Sequence, residues 1–114
     1  DQGARRSTVQ DLAQTPADGR QGQPRNLESA LHSVERAEQE YLKAIDILNE
    51  IVEKEKPSLD PGFLAEFQKS LNAVDQNIAA TRAAYYARRA DPDLAHYMLA
   101  AYSRKVELLQ QIVS

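Results

Sequence analysis

Residues 59–92 read LDPGFLAEFQKSLNAVDQNIAATRAAYYARRADP, one helical segment bracketed by two similar signals, Leu59-Asp60-Pro61 and Ala90-Asp91-Pro92. Each signal sets an aspartate ahead of a proline. A carboxylate at an N-cap accepts from backbone N–H groups that the first helical turn leaves unpaired. Proline costs nothing at the first helical position, where its missing N–H would have had no partner. Two helices therefore start here, at Pro61 and at Pro92. Between the signals Leu64, Phe67, Leu71, Val74, Ile78 and Tyr85 recur at steps of three and four, with Thr81 in the remaining slot. That is the period of one helix face. Ala79, Ala80, Ala83, Ala84 and Ala87 add helix propensity and a slim profile. The spacing predicts a helix over 61–89.

Working outward, Ala95, Leu99, Tyr102, Val106, Leu109 and Val113 predict a second stripe on a helix over 92–113, flanked by Met98 and Ile112. On the other side, Leu27, Leu31, Val34, Tyr41, Ile45, Leu48 and Val52 predict a helix over 27–54. Ala30, Ala37, Ala44 and Ile51 widen its stripe on one side. Lys56-Pro57 ends it, because the residue before proline resists the helical region. The expected fold class is all-α: an antiparallel hairpin of two long amphipathic helices plus a third. Short connections make neighbours antiparallel. At 1.5 Å per residue the helices would be about 40, 43 and 33 Å long. A third helix that short would leave part of an apolar stripe uncovered, which favours a homodimer or a docked protein partner. The helices are too long for a tetratricopeptide-like repeat.

Residues 1–25 are rich in Gln, Gly, Asp and Arg and hold few large apolar side chains. Such a segment has little to offset the entropy of ordering and reads as a flexible tether or tail. The domain is thus expected to span 26–114. The formal net charge of the 114 residues is -3. A phosphate backbone wants a concentrated basic surface, and Arg88-Arg89 and Arg104-Lys105 are only short clusters, so nucleic acid is not an expected partner. With no cysteine in the chain, disulfides, thiolate zinc sites and cysteine nucleophiles are excluded. No cofactor, metal site or catalytic constellation is expected.

Several side chains stand out against this background. Glu38 occupies a slot in the first apolar stripe. Either it pairs inside an interface with an arginine such as Arg82 or Arg104, or it lies at a stripe edge with its carboxylate in water. Tyr85, Tyr86, Tyr97 and Tyr102 crowd the last third of the chain. Tyrosine joins apolar area to a polar tip, which suits interfaces as well as bundle ends. The candidate interface residues are Glu38, Tyr41, Tyr85, Tyr86, Tyr97, Tyr102 and Arg104. His32, with Glu28 and Glu35 on the same face, has the donors to begin a metal site, though a solvated helix face has the same pattern.

The run Leu71-Asn72-Ala73-Val74-Asp75-Gln76-Asn77-Ile78-Ala79-Ala80-Thr81-Arg82-Ala83-Ala84, then Ala90-Asp91-Pro92, then Leu99-Ala100-Ala101-Tyr102-Ser103-Arg104-Lys105-Val106-Glu107-Leu108-Leu109, resembles the C-terminal region of bacterial anti-sigma factors that carry an N-terminal zinc-finger domain. The resemblance implies a non-catalytic extracytoplasmic domain that senses or relays an envelope signal. It implies a periplasmic location as part of a single-span inner-membrane protein, with the membrane reached through an upstream span. A sigma factor would be bound through an N-terminal domain not represented in this sequence. The family's zinc ligands have no counterparts here. Two other readings stand beside it: a soluble helical adaptor or oligomerisation domain, and a small metal sensor built on His32.

Overall fold

Capping marks where the second and third helices of the computed structural model begin. The structure describes residues 24–113, with side chains from Asn26 onward. The proposed tether of residues 1–25 lies, but for its last two residues, outside the described residues. Helix α1 runs Pro24–Glu55, α2 runs Pro61–Ala87 and α3 runs Pro92–Val113, with a short 3-10 helix at Lys56–Ser58 after α1. Contacts divide the chain into two units, Asp1–Ser33 and Val34–Ser114. The described part of the first unit is the opening of α1, where Leu27 is exposed. The second unit holds the rest of α1 together with α2 and α3, and the buried core lies within it.

Asp60 is extended (φ -62°, ψ 130°), and its Oδ2 accepts from the Phe63 N–H at 3.0 Å. A Cβ on Gly62 would stand 3.1 Å from that oxygen, so glycine leaves the cap its space. Asp91 begins α3 similarly: its Oδ1 accepts from the Asp93 N–H at 2.9 Å and its carbonyl from the Leu94 N–H at 3.2 Å. Helix α2 stops at Ala87, short of the expected Arg89. The Arg88 N–H still bonds the Ala84 and Tyr85 carbonyls, and its own carbonyl accepts from the Asp91 N–H at 3.0 Å. This turn reverses the chain before Asp91 can cap.

Helices α1 and α2 run antiparallel: Glu35 pairs with Arg89, while Glu38, one turn further along α1, meets Arg82 and Tyr86, further back on α2. The α2–α3 hairpin is the closest backbone pair, and Lys105 Nζ donates to Asp75 Oδ1 across it at 2.7 Å. Tyr41 of α1 stacks on Tyr102 of α3 with ring centroids 6.1 Å apart. The fold is a bundle of three helices.

The core comprises Ile45 and Val52 of α1, Phe67, Val74 and Tyr85 of α2, and Met98, Ala101, Tyr102, Leu108, Leu109 and Ile112 of α3. The α2 stripe is the expected one. The α3 face is rotated from expectation: its centre lies along Met98, Ala101, Tyr102, Leu109 and Ile112, while Ala95, Leu99, Val106 and Val113 are only half-buried. α3 packs against two neighbours, so its buried face is broader than one stripe. Ile51, expected to extend the α1 stripe, is exposed together with Ile47.

Because the Asp60 carboxylate accepts from the Phe63 N–H in the first turn of α2, Asp60→Ala is expected to lower unfolding free energy by about 1 kcal/mol. A urea titration that finds stability unchanged would show that water replaces this cap at no cost.

Candidate functional site

A carboxylate placed in an apolar stripe must find donors or stay in water. Glu38 is 1% exposed. The bundle supplies its donors from two other helices. Oε2 accepts from Arg82 Nε at 2.7 Å and from the Tyr102 hydroxyl at 2.6 Å, and Oε1 accepts from the Tyr86 hydroxyl at 2.6 Å. The alternative of a stripe-edge carboxylate in water is therefore replaced by an enclosed one. Arg82 makes the ion pair, and its side chain is half-exposed. Arg82 also lies over the Tyr86 ring at 4.7 Å, with Arg89 at 5.8 Å from the same ring. Arg89 in turn pairs with Glu35.

Burial by itself would push the Glu38 carboxyl up. The hydrogen bonds from Tyr102, Tyr86 and Arg82, with the Arg82 charge, outweigh burial and hold it below its ordinary value. Tyr86 and Tyr102 are both pushed up to about 12, first by burial and then by hydrogen bonding to the carboxylate. Tyr85 is also pushed up, by burial and by the Glu38 charge. Its hydroxyl is buried with no hydrogen-bond partner among the described residues.

A second feature lies on the other side of the α2–α3 pair. A groove of about 560 Å³ is lined by Ser70, Ala73 and Asn77 of α2 and by Tyr97, Ala100 and Arg104 of α3, among others. At about 100° per residue, Ala73 is half a turn round α2 from Arg82, and Ala100 and Arg104 are nearly as far round α3 from Tyr102. Arg82 and Tyr102 are the residues that meet Glu38 of α1. So α1 fills one groove of the hairpin, and this one is open on the opposite face.

The candidate interface residues thus separate. Glu38, Tyr85 and Tyr102 are buried inside the bundle, and Tyr41 is half-buried on Tyr102. Tyr86 and Arg104 are at the surface, and Tyr97 is 55% exposed. Glu38, Tyr41, Tyr86 and Tyr102 share one network, with Tyr85 edge-on to Tyr86 at 4.8 Å. Tyr97 and Arg104 share the open groove. Sequence reasoning did not find this groove, although the exposed alanines of α2 and α3 carried its signal.

No family model matches the chain, and no curated protein or solved structure matches it. The resemblance to anti-sigma factors does not hold. Besides the missing family match, no helix among the described residues is long and apolar enough to cross a membrane. No three His, Cys, Asp or Glu side chains among them could hold a metal ion, which also removes support from the His32 metal sensor. The sigma-factor partner, the membrane anchor, the inner-membrane assignment and the periplasmic location rested on that resemblance and fall with it.

Glu38→Gln turns one of the two acceptor oxygens into a donating NH2 group and removes the charge that Arg82 pairs with, so it is expected to cost about 2–3 kcal/mol. A lowered carboxyl stabilises the fold above its ordinary value of 4.5 and loses that contribution as pH falls through the folded value. The gap between wild type and Glu38→Gln in urea midpoint should therefore narrow in acid; a gap independent of pH would contradict the ionised network. The tyrosines have the opposite sign. Their contribution is complete below 10 and lost as pH rises towards about 12. Tyr102→Phe should cost about 1.5–3 kcal/mol, whereas Tyr85→Phe removes an unpaired group and should be neutral or stabilising. Equal losses from the two substitutions would show that the Tyr85 hydroxyl is satisfied.

Proposed function

We propose that this chain is a non-catalytic helical adaptor or oligomerisation module that works by helix–helix contact. The open α2–α3 groove carries the reading. Its lining joins the small exposed side chains Ser70, Ala73 and Ala100, which let another helix approach closely, to the buried Val74, Ala101 and Leu108. Tyr97 and Arg104 stand at its surface, and tyrosine and arginine are the residue types that most often anchor protein contacts. The opposite groove of the same hairpin already accepts a helix, α1. A helix laid into a groove between two others is a recurrent recognition mode and would complete a four-helix arrangement. The α2 residues that line the groove, Ser70, Ala73, Val74, Asn77 and Thr81, carry no charge that a docking helix would have to desolvate.

A photo-crosslinking side chain at Ala100, introduced in the cells that make the protein, is expected to join the groove to a helical segment of another polypeptide. The same group at exposed Gln39 on α1 serves as control. No adduct at Ala100, or equal yields at both positions, would overturn the reading.

A further inference from the structure

The groove has a counterpart on the same chain. On α1 the residues Glu40, Ala44, Ile47, Ile51 and Glu55 follow steps of three and four and so form one row along the helix. Ile47 is 60% and Ile51 38% exposed, a pair of branched apolar side chains on the open surface with a carboxylate beyond each end. Glu40 reaches Lys43 only at the surface, at 3.5 Å with both side chains largely exposed. The groove is complementary in both respects. Its small side chains offer holes for branched knobs, and its lining includes Arg104 but no acidic residue.

We infer that the occupant of the α2–α3 groove is the Ile47–Ile51 ridge of a second copy of this chain, with a flanking glutamate of the ridge paired to Arg104. The inference rests on the module reading above and names its partner. Ridge and groove are different surfaces, so each copy donates one and receives the other. Burial of Ile47 and Ile51 supplies the apolar part of the contact, and the Glu–Arg pair sets its register and excludes partners with a basic ridge.

The test is self-association of the full chain by sedimentation equilibrium. Ile47→Asp and Arg104→Glu each alter an exposed side chain. Their circular dichroism and urea midpoints are expected to match wild type, while their association weakens by about tenfold or more. A chain carrying Glu40→Lys with Glu55→Lys should fail to associate with itself, yet should associate when mixed with the Arg104→Glu chain, because both contacts of the mixed pair then join opposite charges. Restoration on mixing is the supporting result. Association that ignores both single variants, or no restoration on mixing, overturns the inference and leaves an oligomerisation module using another face. A chain that stays monomeric at roughly millimolar concentration, where only contacts weaker than about 4 kcal/mol escape notice, also overturns it. In that case an adduct at Ala100 with a different polypeptide keeps the adaptor reading, and its absence removes both.

Discussion

The Glu38 carboxylate is the constraint on which the bundle depends. A charge withdrawn from water is tolerable only where hydrogen bonds replace its hydration. Here the donors come from α2 (Arg82 and Tyr86) and from α3 (Tyr102), while the acceptor comes from α1. The carboxylate is satisfied only when all three helices are in register. A slip of one turn by any of them moves its contribution about 5 Å and strands the charge. Apolar stripes alone would resist such a slip weakly, since one leucine or alanine packs much like another. The polar network thus acts on specificity of register more than on net stability, the role best attested for buried polar groups in helical assemblies.

Fixing α1 in this way determines which surfaces remain. The α2–α3 hairpin has two grooves, and the Glu38 contacts commit α1 to one of them. The other keeps Tyr97, Arg104 and a lining of small side chains open. The same commitment turns Ile47 and Ile51 away from the core. An open groove and an exposed apolar ridge are thus two consequences of one packing choice, and the proposed function derives from them rather than from a catalytic constellation.

The likeness to anti-sigma factors failed for a physical reason. Alanine, leucine and tyrosine at helical spacing, with an aspartate–proline start, are what closely packed helices require. Such a pattern describes a way of packing, and unrelated chains arrive at it. Residues that would have tied the likeness to chemistry, the zinc ligands, were absent from the sequence from the outset.

Local physics made much of the fold legible in advance. The two aspartate–proline starts depend only on the first turn of each helix, and the α2 stripe depends only on a period, so both could be read from the residues concerned. Tertiary structure decided the rest. Whether Glu38 meets water or donors depends on residues more than forty positions away in Arg82, Tyr86 and Tyr102. The rotation of the α3 face depends on having two neighbours rather than one, and the exposure of Ile51 depends on which side of α1 they occupy. The open groove belongs to no single helix. Period and capping are properties of one segment, whereas burial of a charge and vacancy of a groove are properties of how segments meet.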